Sequence, residues 1–100
     1  MAQIPIIGSE GKPILYAYLD DEGLHFQFEY FGDGENSMDY EFIHTVTAAN
    51  YASIAHRFGL NPTTEILTII QQITDMGKGE DLKKALTDKE ITNEFFSWMS

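Results

Sequence analysis

The chain contains no cysteine, which excludes a disulfide framework, a thiolate zinc site and a cysteine nucleophile and leaves its compartment unconstrained by redox chemistry. Basic residues are also scarce, with six Lys and Arg against sixteen Asp and Glu and a formal net charge of −10. Such a balance repels anionic lipid and nucleic acid. No window approaches the roughly 18 consecutive apolar residues that a membrane-spanning helix requires. The first residues, Met1 to Gly8, have no basic segment, and their short apolar run is broken by Pro5, so they do not make a signal peptide. These absences predict a cytoplasmic protein that binds neither nucleic acid nor membrane.

What is present is segregated. Between Pro13 and His56 there is no Lys or Arg, yet the stretch holds eight carboxylates, half of those in the chain: Asp20, Asp21, Glu22, Glu29, Asp33, Glu35, Asp39 and Glu41. It also holds nine of the thirteen aromatic residues, so the acids belong to a folded, aromatic-rich element and not to a disordered tail. A magnitude of about 2 to 8 suffices to keep a small domain soluble, so solubility alone does not account for the net charge. Self-repulsion of this size costs stability and is tolerated more readily where a site needs the field. A folded surface of one sign implies a partner of the other.

With 100 residues, 43% of them hydrophobic, the chain suits a single domain, residues 1–100, with one modest core. The hydrophobic pattern changes period midway, from two to about 3.6, which predicts an α+β fold: an antiparallel β-meander of about three to five strands packed against two to three helices in the C-terminal half. Ile14 to Asp20 is rich in strand formers, Asp20-Asp21-Glu22-Gly23 reads as a turn, and Leu24 to Phe31 alternates, with Leu24, Phe26, Phe28 and Tyr30 on one face. A looser loop, Gly32 to Ser37, leads to a third strand, Met38 to Val46. Residues two apart on a strand share a face and neighbouring strands lie about 4.8 Å apart, so Glu29, Asp39 and Glu41 should share the solvent face. Like charges opposed across strands are unfavourable by a few tenths to about 1 kcal/mol, so stability alone does not select them.

From Thr47 the spacing is helical. Thr47 is placed to cap a helix carrying Tyr51, Ile54, Ala55 and Phe58 on one stripe and ending at Gly59. Asn61-Pro62 reads as cap and first residue of a second helix, with Ile66, Leu67, Ile69, Ile70, Ile73 and Met76 on its broad apolar face and Gly77 as its stop. A shorter helix around Glu80 to Leu86 turns Leu82, Ala85 and Leu86 inward and Lys83 and Lys84 outward. Ile91 to Met99 fits two patterns. Thr87-Asp88-Lys89-Glu90 matches a capping box, whereas the aromatic density of Phe95, Phe96 and Trp98 favours a final strand joining the sheet, with Trp98 as a core anchor.

Catalytic and metal-binding constellations fail on geometry, predicting a non-enzyme without cofactor or metal. Glu41-Phe42-Ile43-His44 has a metal-ligand spacing only if helical, because residues three apart on a strand point to opposite faces. His25, His44 and His56 form no ligand pattern and read as surface or internally satisfied histidines. Gly8-Ser9-Glu10-Gly11-Lys12 lacks the spacer of a phosphate loop and is followed by Pro13. The acidic loop Gly32 to Glu41 does not reproduce a calcium-loop spacing.

The aromatic meander followed by Thr-Ala-Ala-Asn-Tyr, the Gly-Leu-Asn-Pro break and the closing Phe-Phe-Ser-Trp resembles bacterial immunity proteins of polymorphic toxin and contact-dependent growth-inhibition systems, over roughly residues 40–99. The resemblance implies a cytoplasmic antidote that binds one toxin domain, often a nuclease, one to one and blocks its active site. It supplies no binding residues. Charge nominates them: Asp20, Asp21, Glu22, Glu29, Asp33, Glu35, Asp39 and Glu41, with Tyr18 and Phe31 as aromatic contacts. The carboxylates would stand where a ribonuclease expects phosphates, and replacement of Asp20, Asp21, Glu22, Asp33, Glu35 and Asp39 by amides should leave folding untouched. An acidic nucleic-acid mimic and a small adaptor binding a basic host protein are the other readings of the same charge.

Overall fold

Side chains alternate across a strand, so Leu24, Phe26 and Phe28 fall on one side of β3 (Gly23–Tyr30) and His25, Gln27 and Glu29 on the other. In the computed structural model of the chain, which describes residues 3–9, 12–30 and 40–99, β3 is the middle of a five-stranded antiparallel sheet. The other strands are β1 (Gln3–Ser9), β2 (Lys12–Asp20), β4 (Tyr40–Val46) and β5 (Glu94–Met99), and the order across the sheet follows the chain. Between β4 and β5 come a short 3-10 turn, Ala48–Asn50, and three helices: α1 (Tyr51–Arg57), α2 (Ile66–Asp75) and α3 (Gly79–Thr87). The fold is α+β.

One face of the sheet carries the core. Leu15, Ala17, Leu24, Phe26 and Val46 are fully buried there, against Ile54 of α1, Ile69, Ile70 and Ile73 of α2, and Leu82 and Leu86 of α3. Each such side chain contributes about 1.5–3 kcal/mol by leaving water. Ile91, also fully buried, pins the segment between α3 and β5. That segment is no helix: Thr87 ends α3 with its hydroxyl bonded to the Lys83 carbonyl, and Lys89 adopts a positive φ of 62°, which breaks the proposed capping box.

The apolar N-terminal residues, to which the sequence reading assigned no element, form an edge strand, β1, and bring the sheet to five strands, within the expected range. Pro5 is accommodated there because an edge strand needs no inner hydrogen bond from every residue, and the pairing with β2 shifts register on either side of Ile7. The second helix starts at Ile66 and not at Pro62. The Asn61 side chain accepts hydrogen bonds from the backbone and hydroxyl of Thr63 at 2.9 and 2.8 Å, and the Thr64 N–H reaches the Asn61 carbonyl at 3.2 Å, so the segment closes as a turn. Glu65 is the cap, accepting from the Thr68 N–H at 3.2 Å. Thr47 holds the cap position of the 3-10 turn without a capping bond from its side chain.

The first residue of α3, Gly79, is buried against β1, and a Cβ there would lie 2.9 Å from the Ile6 carbonyl oxygen and 2.8 Å from its Cγ2. Only glycine lets the helix end approach the strand this closely. Lys83, expected to point outward, is half-buried with its ammonium 4.1 Å from the centre of the Phe28 ring.

Candidate functional site

With the helices on one face, the rungs of the sheet set out the other. Tyr18, His25, Thr45 and Glu94 are cross-strand neighbours from β2 to β5; Tyr16, Gln27, Ile43 and Phe96 form the next rung; Glu29, Glu41 and Trp98 form the third. Glu29 and Glu41 therefore hold opposed backbone positions. The Glu29 carboxylate accepts from the Tyr16 hydroxyl at 3.2 Å and the Gln27 amide at 3.1 Å.

The end of this face is built around the β2–β3 turn. The Asp20 carboxylate accepts the Glu22 N–H at 2.8 Å, closing the turn locally. Gly23 follows with φ of 136°, and a Cβ on it would meet the Val46 carbonyl oxygen at 2.7 Å, so glycine answers both the backbone conformation and the close approach of β4. Asp21 and Glu22 are exposed at the tip.

Asp20 also accepts from His25 Nε2 at 2.7 Å, while His25 Nδ1 lies 2.9 Å from the Thr45 hydroxyl. With Nε2–H given to the carboxylate, Nδ1 of the neutral ring is an acceptor and Thr45 donates to it. The ring lies 5.0 Å from that of Tyr18. The His25 hydrogen bond holds the Asp20 carboxyl below its ordinary value of 3.8. Burial pushes the Tyr18 hydroxyl upward, as do the charges of Asp20 and Glu22, and Tyr51 is raised by burial and by Asp20. The turn thus sets up a negative field felt by both phenols.

Over this row lies an open cavity of about 570 Å³, bounded by Tyr18, Asp20, Glu22, His25 and Thr45 on one side and by Glu94 and Phe96 of β5 on the other. Among the described residues neither Lys nor Arg lines it. Phe96 is 69% exposed, the most exposed large apolar side chain among the described residues. The arrangement offers carboxylates beside ring faces, the surroundings that suit a cationic side chain.

The nominated residues do not all meet. Tyr18, Asp20 and Glu22 share the cavity, Asp21 flanks it on the turn, and Glu29 and Glu41 lie two rungs away. Phe31, Asp33, Glu35 and Asp39 lie outside the described residues, as do the side chains of Glu41 and Trp98. The expectation that every acid can be neutralised without effect on folding fails at Asp20, whose carboxylate organises the turn and fixes His25. Glu94 and Phe96 went unnominated because they join the site only through the pairing of β5 with β4, some fifty residues distant in sequence. His25 and His44 are buried and hydrogen-bonded, as internally satisfied histidines should be.

Among the described residues no group of three or more His, Asp or Glu is placed to hold a metal, and no helix is long and apolar enough to cross a membrane. Comparison with known protein families, curated proteins and solved structures finds no match.

Proposed function

We propose that this chain is an immunity protein, an antidote that binds a basic toxin domain one to one in the cytoplasm and covers its active site. The observation that carries the reading is the charge segregation: the acids between Pro13 and His56, unaccompanied by Lys or Arg, supply the β2–β3 turn and the helix-free face of the sheet. A nuclease draws phosphates with a basic cleft, and carboxylates presented in their place occupy it. Long-range attraction speeds the encounter, which matters to an antidote that meets its toxin soon after entry. Slow dissociation needs apolar anchors, for which Tyr18 and the exposed Phe96 flank the carboxylates. The chain acts by occlusion and performs no chemistry.

Among the described residues, Asp20, Asp21 and Glu22 cluster at one turn with Glu29 two rungs away, a grouping that favours a protein cleft over mimicry of a duplex. Co-expression tests the proposal. Cells making the toxin domain encoded beside this chain should survive only when the chain is made as well, and the two should elute together as a one-to-one complex. Equal killing in its presence and absence would overturn the reading.

A further inference from the structure

On the helix-covered side of the sheet lies a second cavity, which shares only Phe95 with the first among the described residues. We infer that the cleft between α3 and the β3–β4–β5 part of the inner sheet face is a binding site for a small aromatic molecule bearing one hydrogen-bond donor, a phenol or an indole.

The cleft has a volume of about 220 Å³ and walls that are mostly apolar. Its floor is a ladder of rings: Phe28 and Phe42 stack at 5.7 Å between centres, and Phe42 and Phe95 again at 5.7 Å, with interplanar angles of 26° and 22°. Phe95, at the end of the ladder, remains 49% exposed. Flat ring faces along an open slot favour a flat ligand.

Polar side chains also line the slot, His44 among them. His44 lines the cleft, its ring 5.0 Å from Phe95, and is only 7% exposed. Its Nδ1 lies 2.8 Å from Asn93 Oδ1. The two hydrogens of Asn93 Nδ2 go to the carbonyls of Leu86 at 2.9 Å and Ile91 at 2.7 Å, and the Lys89 ammonium donates to Oδ1 at 3.3 Å. That network fixes the amide orientation, makes Oδ1 an acceptor and places the imidazole hydrogen on Nδ1. In the neutral ring Nε2 is then a bare acceptor.

Among the described residues nothing bonds Nε2, yet none of their fully buried side-chain nitrogens or oxygens lacks a partner. Nε2 must therefore retain access to solvent, and for so buried a ring that access is the cleft it lines. Burial, together with the positive charge of Lys89, keeps the ring neutral by lowering its affinity for a proton. Among the described residues the charged side chain at the cleft is that of Lys83, and no carboxylate lines it. A purely hydrocarbon ligand would strip water from Nε2 and return nothing, whereas a phenol O–H or indole N–H replaces that bond while its ring covers Phe42 and Phe95.

Titrating the full chain with p-cresol, indole and toluene, followed by backbone amide spectra, tests this. p-Cresol and indole should shift the signals of His44, Leu86 and Phe95 saturably, with p-cresol bound at least about tenfold more tightly than its isostere toluene. His44→Phe should abolish the preference while sparing toluene. If that variant does not fold, acidifying the native chain until His44 protonates, which turns Nε2 into a donor, should weaken indole, whose N–H can only donate, while sparing toluene. Equal affinity for p-cresol and toluene in the native chain, shifts confined to residues away from the cleft, or no saturable shift with either donor ligand would overturn the assignment.

Discussion

Asn93 joins three parts of the molecule through one side chain: the last turn of α3 at the Leu86 carbonyl, the buried Ile91, and His44 of β4. Replacing it with Ala leaves two carbonyls and the His44 Nδ1–H without their partner, and an unsatisfied buried group costs about 1–3 kcal/mol. Because the site is only half-buried and water can reach part of it, Asn93→Ala should destabilise the fold by about 2–3 kcal/mol in urea titrations, at the upper half of that range. Two titrating residues set the response to acid. His44 is held neutral by burial, so as pH falls below 6.5 the unfolded chain gains a proton that the folded chain refuses, and stability drops. The loss levels off once the folded ring protonates too. Asp20 is held ionised by His25, and its contribution, present above 3.8, disappears as pH falls through its lowered folded value. Stability against pH should therefore show two separate declines on acidification, and His44→Phe should remove the first alone.

At the scale of elements, the residues that alternate strongly were legible and those whose role depends on a distant partner were not. Leu24, Phe26 and Phe28 could be assigned to the core face, and Glu29 and Glu41 to the opposite one, because each strand carries its own period-two signal. β1 was not, since Pro5 breaks the pattern and the register shifts beside Ile7 make its alternation irregular. β5 was half-legible: its aromatic density marks a strand, but its rungs with Thr45 and Ile43, which bring Glu94 and Phe96 to the cavity, are a tertiary fact. The start of α2 was misplaced for a local reason, as Asn61 and Glu65 both offer capping oxygens and only the second is followed by an uninterrupted helix. This makes a contrast that can be measured. Glu65→Ala should cost about 1 kcal/mol and speed hydrogen exchange at the Thr68 amide, whereas Asn61→Ala should expose the Thr63 amide and leave Thr68 protected.

For the whole molecule, the sheet separates two populations of charge. The helical side carries Lys78, Lys83, Lys84 and Lys89 among its acids, and Arg57 pairs with Glu90 at 3.5 Å; among the described residues, the β2–β3 turn and the cavity beside it carry carboxylates without Lys or Arg. Net charge alone would attract a basic partner to either side, while a local field attracts it to one, because at physiological salt screening limits each exposed charge to about 8–10 Å. Two variants separate these possibilities. One changes Asp21, Glu22, Glu29 and Glu41 to the corresponding amides; the other changes Asp75, Glu80, Asp81 and Asp88. Both remove the same charge and both spare Asp20, whose carboxylate the turn requires. Association with the toxin domain, followed by stopped flow across a range of salt concentrations, should slow at least about tenfold for the first variant and lose much of its salt dependence, with the second close to the native chain. Comparable losses would mean that only total charge steers the encounter, and a larger loss from the helical set would place the interface on the α3 side of the sheet.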